Sequence, residues 1–193
     1  MRAVFILGLG GLLLAGTAQA QQPVEAMAAA GKKIAGQCRT CHGIDGYAKI
    51  PIAPHIGGEP ASYIIRQLTA FRDGTRTHEM MSVVAKMLTD QQIADVAAWY
   101  SSHSATATLT ADASGAPELC AACHGVDGIA AVEDAPNLAG ETNIYIDTQL
   151  KAFRLGKRKH EVMSAIAADL TDEQIRAFAD WYGSVKLEIK MAD

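Results

Sequence analysis

Apolar positions recur along the chain with a helical period, and they do so twice in the same order. Ile64, Ile65, Leu68 and Phe71 line one face of residues 61–71, the spacing of an amphipathic helix. Residues 143–153 repeat that face and run toward Gly156, a helix stop. Farther along each half stands a capping box, Thr89 with Gln92 and Thr171 with Gln174, in which the side chains of the first and fourth residues satisfy each other's backbone N–H groups. Behind the boxes, Ile93, Val96, Ala97 and Tyr100 match Ile175, Phe178, Ala179 and Tyr182, each set being one helical face. Residues 24–37 predict an opening helix that runs into Cys38. Its counterpart must be short, starting near Ser114 with Pro117 in its first turn. No persuasive strand alternation is found, so the expected class is all-α.

The recurrence extends beyond pattern to identity. Cys38-Arg39-Thr40-Cys41-His42-Gly43 matches Cys120-Ala121-Ala122-Cys123-His124-Gly125 at an offset of 82, and the same offset takes Pro54 to Pro136, Phe71 to Phe153, Met81 to Met163 and Trp99 to Trp181. About half of some 65 aligned positions are identical without a gap, so the chain reads as a duplicated unit. Residues 101–114, SSHSATATLTADAS, lack an apolar period and read as the join. The expected organisation is a first domain over 21–103, a linker over 104–114 and a second domain over 115–193. Each unit is below the size at which a protein core alone is comfortable, and only 6% of residues are aromatic. A large bound cofactor would supply the missing apolar bulk.

Residues 1–20 read as a secretory signal. Arg2 precedes an apolar run from Val4 to Leu14, and Ala18-Gln19-Ala20 is a small-residue cleavage site. The run is about 11 residues, and a spanning helix needs about 20. The mature chain is therefore expected to begin at Gln21 in the periplasm, without a transmembrane segment and with peripheral membrane association left open. The whole chain carries a net charge of −4, which does not favour nucleic acid. The charge is uneven: residues 21–110 hold 8 basic and 7 acidic groups, residues 111–193 hold 8 and 14. Any cofactor held in the first half would therefore sit farther from net negative charge than one held in the second.

All four cysteines lie in the two Cys-x-x-Cys-His motifs, a pattern that reads as c-type haem attachment. Two thiols three positions apart can add to two vinyl groups on one porphyrin edge, which places the next residue under the iron. Cys38, Cys41, Cys120 and Cys123 are thus the attachment points of two covalent haem c groups, and His42 and His124 the proximal iron ligands. Disulfides, a redox dithiol or half a zinc site do not explain why His follows immediately, twice. Methionine and histidine are the usual sixth ligands of an electron carrier. Met81 and Met163 are the methionines shared by both units, each 39 residues after its His. Met80 corresponds to Val162 and Met87 to Asp169, which favours packing for the former. His78 and His160 are the alternative ligands, better suited to a supporting place near a propionate or the loop backbone. His55 and His103 lack copies and read as surface or linker residues.

Pro54 and Pro136 cannot donate a backbone hydrogen bond. Their carbonyls are free to accept the second ring N–H of the proximal His, which would fix the imidazole and raise its basicity; a plain turn proline is the other reading. Arg72 and Arg154, with Arg76 and Arg158, recur in FRDGTR and FRLGKR. They are candidates for pairing with haem propionates, or form a solvated loop. Trp99, Tyr100, Trp181 and Tyr182 read as helix packing.

With Pro136-Asn137-Leu138-Ala139-Gly140 and the paired methionines, the mature chain resembles the diheme cytochrome c4 family of class I cytochromes c. The resemblance implies two tandem cytochrome c-type helical domains, each around one covalent haem, with the haems near the domain interface. It further implies a one-electron carrier between respiratory complexes, fed by one complex and passing electrons toward a terminal oxidase. Pro54-His55-Ile56-Gly57-Gly58 departs from the typical loop. With His and Met both bound, an iron has no open site, so the protein is not expected to be an enzyme. The alternatives are the cytochrome subunit of a periplasmic dehydrogenase complex and a diheme peroxidase. The matched methionines argue against the peroxidase, and against a gas sensor.

Overall fold

The computed structural model describes the backbone of residues 24–192 and the side chains of residues 27–192; the signal-peptide reading lies outside them. The first half contains α1 (Val24–His42), α2 (Ala61–Asp73), α3 (Met81–Lys86) and α4 (Asp90–Ser101), followed by strand β1 (Ser104–Thr108). After a single 3-10 turn (Ala113–Gly115), the second half contains α5 (Glu118–His124), α6 (Asn143–Arg154), α7 (Glu161–Ala168), α8 (Asp172–Ser184) and β2 (Lys186–Lys190). The opening helix thus continues through the whole Cys motif, and its counterpart shrinks to seven residues capped by Pro117.

Both capping boxes form, with Thr89 and Thr171 accepting from the backbone of Gln92 and Gln174, each substitutable at a cost of about 1 kcal/mol. The helices they start supply the core of their halves. Val96, Ala97, Trp99 and Tyr100 pack with Ala35 and Ile64 in the first cluster; Ile175, Ala179 and Tyr182 pack with Ile146, Leu150 and Leu170 in the second. A motif cysteine borders each cluster, Cys38 in the first and Cys120 in the second.

The fold is helical, as expected, with one addition. β1 and β2 pair antiparallel from Ser104 opposite Lys190 to Thr108 opposite Lys186. What reads as the start of a linker is therefore a strand. Its partner is the end of the other half, so neither half shows a hairpin locally. Thr106 pairs with Glu188, its own copy at the offset of 82. The ribbon thus has the same two-fold relation as the halves it ties. It lies close over the interface: a Cβ on Gly58 would stand 2.6 Å from the Ala105 side chain, and one on Gly140 would stand 2.8 Å from Leu187. Both glycines also have positive φ, +77° and +67°, where other residues are strained.

Candidate functional site

Each Cys-x-x-Cys-His motif ends a helix. Cys38, Cys41 and His42 occupy the last turns of α1, and Cys120, Cys123 and His124 lie in α5. The glycine after each His has a positive φ, and a Cβ there would collide with the carbonyl of Tyr47 in one half and of Ile129 in the other. The tryptophan and tyrosine of the last helix then grip this turn. Trp99 Nε1 donates to Ile44 O at 3.1 Å and Tyr100 Oη to Gly43 O at 3.1 Å; Trp181 donates to Val126 O and Tyr182 to Gly125 O, both at 3.0 Å. These residues do more than fill space: they set where the motif stands.

His42 and His124 are 8% and 7% exposed. Burial holds both imidazoles below their ordinary pKa, so they are neutral at physiological pH. Nδ1 of His42 lies 2.9 Å from Pro54 O, and Nδ1 of His124 lies 2.8 Å from Pro136 O. A carbonyl can only accept, so Nδ1 carries the proton and Nε2 keeps its lone pair for a metal. The four cysteines are free and half-buried. Burial pushes the Cys120 thiol up to about 11 and raises Cys38, opposite to the lowered pKa of a redox dithiol. Among the described residues, no three or more His, Cys, Asp or Glu side chains gather as a metal cage would require.

Met81 opens α3, and Met163 stands in the first turn of α7, where it borders the core cluster that Cys120 also borders. His78 and His160 turn Nδ1 to the start of these helices. His160 Nδ1 accepts from Met163 N at 3.3 Å and His78 Nδ1 from Met80 N at 3.3 Å, while the backbone N–H groups of the two histidines donate to Ser164 Oγ and Ser82 Oγ at 3.0 Å. They hold the methionine-bearing backbone. Met80 is 62% exposed, so the packing expected of it is not found. Donors of the kinds a haem c requires recur in both halves: two thiols, an imidazole with Nε2 spare, and a thioether.

Arg72 and Arg154, candidates for a propionate or for a solvated loop, use their guanidinium groups to pin α2 and α6 to the following helices. Arg72 reaches Leu88 O and, at 2.7 Å, Asp90, while Arg154 reaches Leu170 O at 2.7 Å and Asp172 at 2.6 Å. The cause is the capped helix start two residues beyond each leucine, which offers a carboxylate and a free carbonyl together. Arg76 and Arg158 cross between the halves. Arg76 bonds Gln67 and Gln149 at 2.6 and 2.9 Å, and Arg158 bonds Gln149, Gln67 and Tyr63 at 2.8 to 3.2 Å.

The largest departure is at His55 and His103, both buried, at 7% and 4% exposure. His103 packs edge-on against Trp99, with centroids 4.6 Å apart. His55 bridges the halves: Nδ1 accepts from Ala48 N at 2.9 Å, and Nε2 meets Gly140 O at 3.0 Å. Its positional copy Asn137 does the same, with Oδ1 accepting from Ala130 N at 2.9 Å and Nδ2 donating to Gly58 O at 3.1 Å. Two buried glutamates complete this interface. Glu141 Oε1 accepts from His55 N at 2.8 Å, and Glu59 Oε2 accepts from Asn137 N at 3.0 Å. Glu59 and Glu141 recur at the offset of 82, a signal present in the sequence and not taken up.

The family model for cytochrome c matches residues 28–104 and again residues 115–186. Cytochrome c4 of Pseudomonas aeruginosa is 33% identical over 174 residues, covering 80% of this chain and 86% of that protein. A thiosulfate dehydrogenase electron acceptor of Stutzerimonas stutzeri is 32% identical, over 89% of this chain and 94% of that protein. Among solved structures, reduced recombinant cytochrome c4 from Pseudomonas stutzeri aligns with a TM-score of 0.72 at 26% identity, covering 82% of this chain and 98% of that one.

Proposed function

The chain belongs to the diheme cytochrome c4 family and carries two haem c groups and electrons, and on that premise we propose that it works in the periplasm as a one-electron carrier between respiratory complexes, delivering toward a terminal oxidase. Each haem, when bound, supplies an iron that alternates between ferric and ferrous. The observation that carries the reading is the duplication of the whole donor set, because a His and a Met in both halves leave neither iron an open site for a substrate.

The protein's residues have separable tasks. Cys38, Cys41, Cys120 and Cys123 would anchor the two haems, His42 and His124 ligate through Nε2, and Met81 and Met163 complete the sets. The carbonyls of Pro54 and Pro136 orient the imidazoles and raise their basicity. Thioether ligation favours the ferrous state and raises the potential. Among the described residues no helix is long and apolar enough to cross a membrane, which suits a carrier that docks and leaves. Export rests on residues 1–20 of the sequence, with cleavage after Ala20.

A second reading, the cytochrome subunit of a periplasmic dehydrogenase complex, draws on the relative named as a thiosulfate dehydrogenase electron acceptor. Membranes and pre-reduced holoprotein decide between them. The carrier is reoxidised by oxidase-containing membranes in a cyanide-sensitive manner and purifies alone. Constant copurification with a dehydrogenase, with no reoxidation by membranes, overturns the carrier reading in favour of the subunit. Rapid reoxidation by hydrogen peroxide alone would point to a peroxidase.

A further inference from the structure

We propose that each buried glutamate tunes the haem of the opposite half, Glu141 acting on His42 and Glu59 on His124, each through a single peptide group. The inference rests on His42 and His124 being the axial ligands. The amide joining Pro54 to His55 has its C=O on His42 Nδ1 at 2.9 Å and its N–H on Glu141 Oε1 at 2.8 Å. The amide joining Pro136 to Asn137 has its C=O on His124 Nδ1 at 2.8 Å and its N–H on Glu59 Oε2 at 3.0 Å. One planar, conjugated unit therefore links each carboxyl to an imidazole of the other half. Hydrogen bonds in series polarise one another, the more so at low local dielectric. Glu59 and Glu141 are 3% and 2% exposed.

The direction follows from charge. An ionised carboxylate accepts the peptide N–H more strongly than a neutral carboxyl does. The peptide carbonyl then draws harder on the Nδ1 proton, the imidazole becomes more basic, and the ferric state is favoured. Burial pushes Glu59 up to about 8, and burial with the neighbouring Glu59 raises Glu141 well above its ordinary value. The groups that face this pair are His55 and Tyr145, with Tyr63, Arg76 and Arg158 beyond Tyr145; Lys186, Glu188 and Lys190 on the ribbon are exposed. His55 has Nδ1 occupied by Ala48 N–H, and burial lowers its pKa, so it stays neutral while the carboxyls titrate. Each haem's potential accordingly falls as pH rises through the ionisation of the opposite glutamate.

The test is a redox titration of the holoprotein from pH 6 to 10 with the haems resolved by NMR, alongside the shifts of the two His Nδ1–H signals. In the wild type, the ferrous-to-ferric equilibrium of the second haem falls about tenfold, about 59 mV, across the range. Glu59→Gln abolishes that dependence for the second haem and moves the His124 signal; the first haem keeps its dependence, displaced to lower pH because Glu141 loses a like-charged neighbour. Glu141→Gln does the mirror image on the first haem and His42. His55→Asn keeps the backbone N–H and leaves the first haem's pH dependence in place. A Gln variant that abolishes the pH dependence of its own half's haem while the opposite haem keeps its dependence, or that moves both haems equally with the Nδ1–H signals fixed, overturns the relay in favour of through-space charge. Should neither Gln variant assemble, wild-type Nδ1–H signals that stay fixed from pH 6 to 10 overturn it equally. A histidine whose signal lacks a paramagnetic shift in the ferric protein is not a ligand, which refutes the ligand reading and is distinct from failure of the relay.

Discussion

In the first half, α1 runs for 19 residues and crosses α4 so closely that a Cβ on Gly31 would collide with the Asp95 carbonyl. In the second, α5 runs for 7 residues, and the turn at Ala113–Gly115 reaches only the ring edge of Trp181. The chemistry is duplicated; the cover is not. Trp99 is 6% exposed, whereas Trp181 is only half-buried. Val96, 2% exposed, stands where the second half has the partly exposed Phe178. Duplication has thus kept the Cys-x-x-Cys-His turn and the Trp and Tyr that hold it, and let the outer layer diverge, so the two motifs lie under unequal cover.

The largest consequence is in stability. Trp99→Ala should cost about 3–5 kcal/mol, the range for a buried Trp, and Trp181→Ala about half that. Guanidinium unfolding of the two holoproteins, followed by circular dichroism, measures the difference; equal losses would mean that the covers are equivalent after all.

The potentials come next. The ferric haem carries more charge than the ferrous, so a drier shell favours reduction, and so does distance from acidic groups. Both place the first haem higher. A unit charge about 10 Å away contributes roughly 0.4 kcal/mol in water and about 1.7 at an effective dielectric of 20, so a separation of a few tens of millivolts is expected, about 59 mV being a tenfold change. Redox titration at low and high salt, with Met81→His and Met163→His marking each haem, reads the order. Salt should shrink the charge part of the gap. A higher second haem would show that neither cover nor charge sets it.

The smallest effect is at the rim. Arg66 reaches across the interface to Asp134 with both terminal nitrogens at 2.7 Å, one donating to the carboxylate and one to the backbone carbonyl. Its positional copies are Thr148 and Ile52, which cannot repeat it. The pair is partly exposed, so Arg66→Ala should cost only about 0.2–1 kcal/mol and the loss should fade with salt. A larger, salt-insensitive loss would make this pair a main tie between the halves.

Much of this was legible in the sequence because it is local or repeated. The capping boxes, the apolar faces and the Cys-x-x-Cys-His motifs each need only neighbours along the chain. The proline carbonyls were legible from chemistry alone, since a residue without an N–H leaves its acceptor unpaired with a ladder. What escaped was contact between the halves. Lys186-Leu187-Glu188-Ile189-Lys190 alternates as a strand does, but its partner is the distant Ser104–Thr108, a stretch of Ser, Ala and Thr with little contrast. His55 looked like a divergence from Asn137, yet both offer one acceptor and one donor in the same places. Residue identity changed while the hydrogen-bond pattern did not. The helix-start contacts of Arg72 and Arg154 escaped because a guanidinium suits a propionate and a helix-start carboxylate equally well, and sequence alone does not show which carboxylates the fold brings near.

The central claim is that each half holds one low-spin haem c between a His and a Met. The oxidised holoprotein's visible and near-infrared spectrum tests it most directly, through the weak far-red band of sulfur bound to ferric iron. The expected intensity is that of two haems per chain, reduced to half by Met81→Ala or by Met163→Ala and untouched by Met80→Ala. Loss on replacing Met80 but not Met81, or a full-strength band in either Met81→Ala or Met163→Ala, would contradict it.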